Sequence, residues 1–193
     1  MKTLLISAAF AAAVLAPTAA SAQALPTAVV AVVDLERVST ECNACKTAIA
    51  ALQAQQTAFN NRRQSLAAPL EAEGKSIQAA VDALPKGKQP DAALQARYKA
   101  FQEKQQSGAD ELRRQAEQIQ RNEAYVNQQI QAKLNTIYTP VMQRRGANLL
   151  VDVRATLATA QNVDVTNDVL AALNAALPTI ATTAPAQQQP QGR

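Results

Sequence analysis

Apolar residues recur at alternating steps of three and four from Ile49 to Leu84, stop at Pro85-Lys86-Gly87-Lys88-Gln89-Pro90, and resume at Leu94. In heptad terms, position a carries Ile49, Gln56, Arg63, Leu70, Ile77 and Leu84. Position d carries Leu52, Phe59, Leu66, Glu73 and Ala80. A stripe of this kind is the seam of a coiled coil. The second run keeps the spacing through Leu94, Tyr98, Phe101, Leu112, Ile119 and Val126, with Gln105, Gly108, Gln115 and Asn122 as polar or small seam positions. Beyond Val126 the steps change through Ile130, Leu134, Ile137 and Val141, the mark of a local stutter. The two prolines stop and restart the helix, Gly87 permits a tight reversal, and Asp91 is placed to cap the second arm. So short a connection makes the arms antiparallel. The first, from Lys46 to Leu84, spans roughly 58 Å at the helical rise. Polar seam positions, and Pro69 inside the first arm, predict arms that flex.

The flanks have a different period. Val29–Val33 is a continuous apolar, β-branched run, Leu149–Val153 is a second strand candidate entered through Gly146, and Val163–Val165 is a short third. Thr166 then reads as the N-cap of an amphipathic helix carrying Val169, Leu170, Leu173 and Leu177. The fold class is therefore α+β, mostly α: a small β/α body over 23–43 and 146–177, bearing a protruding antiparallel hairpin over 44–145 with its tip at 85–90. Thin arms offer much surface and little interior. They suit gripping or bridging better than enclosing a reaction.

Composition changes this picture in four ways. Residues 1–22 read as a cleaved export signal: Lys2, an apolar stretch from Leu4 to Leu15, and Ala20-Ser21-Ala22 before Gln23. That places the mature chain in an exported compartment. No later stretch is apolar enough for a spanning helix. Aromatic residues make up only 3% of the chain, so the body buries little area alone and oligomerisation is expected. Residues 178–193 are rich in Pro and Gln and read as a disordered tail. Charge is uneven: 15 basic against 9 acidic residues in 44–145, and an acidic excess elsewhere in the mature chain. Lys75, Lys86, Lys88, Arg97, Lys99 and Lys104 gather toward the tip, a candidate client- or membrane-facing surface for acidic polypeptides, anionic lipid or lipopolysaccharide. Nucleic acid is not indicated, because no groove-reading motif or stacking platform accompanies the charge.

Little in the chain points to catalysis. There is no His, which removes His-dependent triads and most His-assisted metal sites. Gly87-Lys88 lacks the glycine-rich setting of a phosphate loop. Glu71/Glu73 and Asp110/Glu111 diverge around a helix and read as solvated faces, while Asp152 and Asp164 read as caps of the body strands. No catalytic, cofactor or metal site is assigned, and the protein is not read as an enzyme. Cys42 and Cys45 sit where the strand hands over to the first arm. Three readings stand open: a local structural disulfide, a redox-active pair, and a bridge between molecules. Two thiols are too few for zinc.

Several segments together resemble the Skp/OmpH family of periplasmic outer-membrane-protein chaperones. They are Val32-Val33-Asp34-Leu35-Glu36-Arg37-Val38, Pro140-Val141, Asn148-Leu149-Leu150-Val151-Asp152, and above all Asp164-Val165-Thr166-Asn167-Asp168-Val169-Leu170. The match runs from about Ala28 to Asn174, whereas Cys42-Asn43-Ala44-Cys45 and the tail are not features of the family pattern. The resemblance implies a homotrimer whose strands share a small trimerisation barrel, with three hairpins holding unfolded outer-membrane proteins without ATP. Asp164, Val165, Thr166, Val169 and Leu170 form the body motif that carries it. The family's lipopolysaccharide site maps onto no residue here. The expected function is an ATP-independent periplasmic holdase. The alternatives are a structural coiled-coil adaptor of the envelope and an exported thiol-redox protein acting through Cys42 and Cys45.

Overall fold

A computed structural model describes residues 25–186. The expected signal, 1–22, and the end of the tail, 187–193, lie outside the described residues. Strand β1 (Val30–Val33) leads into a short helix α1 (Leu35–Glu41), then the two arms, α2 (Asn43–Asp82) and α3 (Ala92–Arg145). Strand β2 (Leu149–Asp152) follows, then one-turn 3-10 helices at Val153–Ala155 and Gln161–Val163, and helix α4 (Thr166–Ala176). The fold is mostly helical, with a small sheet and a long hairpin, as the two periodicities predict.

β1 and β2 pair in parallel, Val30 opposite Leu149 through Val33 opposite Asp152. A parallel pair needs a crossover, and here the whole hairpin supplies it. The third strand is a correction. Only a single bridge forms, between Val32 and Asp164, with the Val165 N–H donating to the Val32 carbonyl at 2.8 Å. The chain cannot extend further, because the Asp164 carboxylate accepts the Thr166 N–H at 2.8 Å and turns it into α4. Thr166 is likewise not the N-cap. It is the first residue of α4, with Val165 before it. Its buried hydroxyl accepts the Asp34 N–H at 2.9 Å and ties α4 to the β1–α1 junction.

Capping residues fix the helix ends. Asp34 caps α1 by accepting the Arg37 N–H, and Asp91 caps α3 by accepting the Leu94 N–H, each at 2.8 Å. Gly146 closes α3 in the left-handed region (φ 67°), where its N–H bonds Gln143 and the Ala147 N–H bonds Met142; a Cβ there would be strained. Between α1 and α2, Cys42 is extended (φ −60°, ψ 143°) and its sulfur accepts the Cys45 N–H.

One core runs through the body and up the root of the hairpin. Val33, Val38, Cys42 and Cys45 meet the inner face of α3 (Ile130, Leu134, Ile137, Val141) and the apolar face of α4 (Val169, Leu173). The stutter after Val126 therefore marks where α3 leaves two-helix packing and enters the body core. Along the arms the seam holds from Leu66 to Leu84. Nearer the root, Gln56 and Arg63 are exposed and their neighbours Gln55 and Arg62 turn toward α3. A straight helix drifts about 20° per heptad from a strict 3.5 repeat, enough to move the seam by one residue. Tyr98 is displaced the same way: it is 51% exposed, and Arg97 faces α2.

Residues 178–184 are the last correction. They do not leave the body as a free tail. Ile180 packs on the core, and the following residues hydrogen-bond to both arms. Their few apolar side chains and free amide groups meet a polar lane on the hairpin.

Candidate functional site

The hairpin wall carries several openings where another molecule can sit. Midway along, Leu66, Pro69 and Leu70 of α2 face Gly108 of α3 across a cleft of about 460 Å³. Pro69 lies inside α2 and the helix continues through it. Gly108 is buried, and a Cβ there would meet Leu66 at 3.8 Å. The rim carries Arg62, Lys104 and Arg114 with Glu73 and Glu111, so an apolar floor is framed by both charge signs. A second recess of about 550 Å³ lies at the tip, between Leu84, Pro85 and Lys88 on one side and Leu94 and Arg97 on the other.

Two ion pairs cross between the arms. Arg62 forks onto both oxygens of Glu111, at 2.7 and 2.9 Å, and Arg97 donates to Glu73 at 2.6 Å and to Ser76 at 2.8 Å. Each arginine's hydrogen bond holds its carboxylate partner below the usual glutamate range. These pairs fix the rotation of one arm against the other. Arg97, grouped by sequence with the tip cations, is thereby committed to the hairpin itself.

The other tip cations divide. Lys75 pairs with Glu71 at 2.6 Å, and Lys99 approaches Glu103 at 4.0 Å. Lys86 and Lys88 lie in the turn between the arms, and Lys104 borders the mid-hairpin cleft; among the described residues these three make no ion pair. The six therefore form no single patch.

At the root, Cys42 and Cys45 are joined in a disulfide and both are 0% exposed. The body motif is engaged in packing: Val165 and Val169 are buried, Leu170 lies against the core, and the Asp164 carboxylate is drawn below its usual range chiefly by its hydrogen bond to Thr166. Beside it, Arg145 pairs with Asp168 at 2.6 Å and Arg37 donates to Asn167 at 2.9 Å. The outer edge of β2 carries no strand among the described residues. Val29, Val30 and Leu149 are 48, 39 and 46% exposed beside a recess lined by Val33, Leu35, Tyr138 and Leu150. Burial pushes the Tyr138 phenol up. No group of metal-ligating side chains gathers among the described residues, and no helix there is long and apolar enough to cross a membrane.

Sequence reasoning missed two amide side chains near the root, Gln55 and Gln129, which together with the seam residue Asn122 bind backbone groups of residues 181–184. A signal was present: Asn122 and Gln129 are one heptad apart, so they share a face of α3.

Comparison with known proteins follows the same outline. A family model described as "Outer membrane protein (OmpH-like)" matches residues 29–173. No curated protein sequence matches. The crystal structure of an OmpH-like protein from Caulobacter crescentus, a candidate outer membrane chaperone, superposes with a TM-score of 0.68 at 20% identity, covering 86% of this chain and 96% of that one.

Proposed function

The chain belongs to the OmpH-like family of outer membrane proteins, and on that premise we propose that it is a periplasmic holdase that keeps unfolded outer-membrane proteins from aggregating without ATP. The observation that carries the reading is the hairpin: arms of 40 and 54 residues, roughly 60 and 80 Å long at the helical rise, with shallow apolar clefts rimmed by mixed charge. Shallow clefts give weak, plural contacts, and weak contacts permit release without an energy source. The free edge of β2 and the exposed Val30 and Leu149 support assembly as a homotrimer through a shared barrel, since an unpaired apolar edge seeks a strand. Lys86 and Lys88 at the turn supply charge for acidic clients, anionic lipid or lipopolysaccharide.

Burial of both sulfurs favours a structural disulfide over thiol exchange, because exchange requires an accessible sulfur. The deciding experiment dilutes a urea-unfolded outer-membrane β-barrel into buffer and follows light scattering. Suppression at a stoichiometric ratio of trimer is expected; undiminished scattering would leave the adaptor reading.

A further inference from the structure

Past α4 the chain stays on the molecule. Leu177 is buried and Ile180 packs on the core, and from there the segment runs along the root of the hairpin. Four of its backbone groups are bound, all by side-chain amides of the arms. Gln129 donates from Nε2 to the Ala181 carbonyl at 2.9 Å and accepts the Ala181 N–H at Oε1 at 3.0 Å. Gln55 Nε2 donates to the Thr182 carbonyl at 3.0 Å, and the Ala184 N–H donates to Asn122 Oδ1 at 2.8 Å. The arms hold this seat themselves: Asn122 Nδ2 donates to Gln55 Oε1 at 2.7 Å, and Gln118 donates to Asn122 Oδ1 at 2.8 Å.

A carboxamide that binds both the N–H and the C=O of one residue reads main chain and ignores the side chain. None of the four bonds depends on Ala, Thr and Ala standing at 181, 182 and 184. The lane also continues beyond Ala184. Gln55 and Asn122 border an open recess of about 430 Å³ whose walls include Phe59 and Ile119. Backbone-reading amides beside an apolar recess are what an extended polypeptide of arbitrary sequence requires: hydrogen bonds for its main chain and room for its side chains.

We propose that the Gln55–Asn122–Gln129 lane is a sequence-independent binding site for extended polypeptide, and that residues 181–184 occupy it in cis as a displaceable stand-in. The proposal deepens the holdase reading and rests on it only for the identity of the natural ligand. The lane can be tested without that identity.

The test uses two opened forms of the chain. One ends at Ile180, which keeps that side chain in the core. The other is the full chain carrying Ala181→Pro and Ala184→Pro, which removes the strap's two N–H donors and leaves the lane untouched. The probes are a fluorescein-labelled peptide of residues 181–193 and the same residues in scrambled order, read by anisotropy. Both opened forms should bind both peptides comparably, about tenfold or more tighter than the native chain, since a competing occupant lowers apparent affinity by the fraction of time it holds the site. Adding Gln129→Ala should remove the gain. Opened forms that bind no better than the native chain would overturn the proposal, as would binding of the native-order peptide alone, which would make the strap a specific clasp. If the shortened form does not fold, the proline form decides. Light scattering with the β-barrel client separates the two readings. Peptide binding without suppression of aggregation removes the holdase and leaves the lane; suppression without a gain on opening removes the lane alone.

Discussion

Asn122 sits on the seam of α3, 4% exposed, with its carboxamide bonded to Gln55, Gln118 and the Ala184 N–H. A buried amide with its partners in place is stable; the same partners left alone are not. Asn122→Leu keeps the branched shape of the side chain but strands the Gln55 side-chain oxygen, the Gln118 amide and the Ala184 N–H. The expected loss is about 1–3 kcal/mol, nearer the lower figure because Gln55 is partly exposed. A urea melt measures it, and hydrogen exchange at Ala184 should accelerate. Gly108 predicts the opposite sign. Its Cβ position has ordinary clearance from Leu66, so Gly108→Ala should add about 0.5–1 kcal/mol by helix propensity, seen as a raised thermal midpoint. The sequence marked both positions as weak points of the seam. For Asn122 that fails, because its partners lie 67 and 62 residues away in sequence, on the other arm and in the tail. Periodicity reports which residues face inward and says nothing of what they meet.

At the scale of the elements, the two arms are held in rotation by Arg62–Glu111 and Arg97–Glu73. Both carboxylates lie below the ordinary glutamate value of 4.5. A depressed carboxylate stabilises above its unfolded pKa, and that contribution is lost as pH falls through the folded one. The arms should therefore loosen on acidification below about pH 4.5 and remain unchanged between pH 6 and 8. A spin label on each arm near the tip would report it as a broadened distance, and Glu111→Gln should reproduce the effect locally at neutral pH. The disulfide acts at the other end of α2, at the bend from α1. Its loop closes only four residues, Cys42 to Cys45, for which chain entropy gives about 2 kcal/mol. Replacing both with Ala should cost about that plus the lost packing of two buried sulfurs. Aggregation suppression should persist, which a redox mechanism would not allow. The hairpin, its turn and Asp91 were legible from spacing and breakers. The cross-arm ion pairs were not, because the seam drifts by one residue at Gln56 and Arg63 and brings Arg62 inward instead.

On the scale of the whole molecule, the body is a small sheet with one edge unpaired among the described residues. Its strands were legible as β-branched runs, yet Val163–Val165 yields only one bridge. The reason is chemical: Asp164 and Thr166 are already engaged in starting α4 and anchoring it to Asp34. Among the described residues the sheet therefore ends at two strands, with β2 on the outside and Leu149 exposed beside it. In the proposed trimer that side chain is covered by a neighbouring copy, whereas in the single chain it touches little of the core. Leu149→Arg separates these roles. Because Leu149 is 46% exposed, the substitution should leave helicity and the Cys42–Cys45 region intact while placing a charge in each subunit interface. Size-exclusion with light scattering should then report a folded monomer in place of a trimer. Tyr138 lines the same recess, so its fluorescence should shift toward that of a solvated phenol. A wild-type chain that is already monomeric would remove the barrel from the reading and leave the arms to act singly. A Leu149→Arg chain that remains trimeric would move the interface away from the β2 edge.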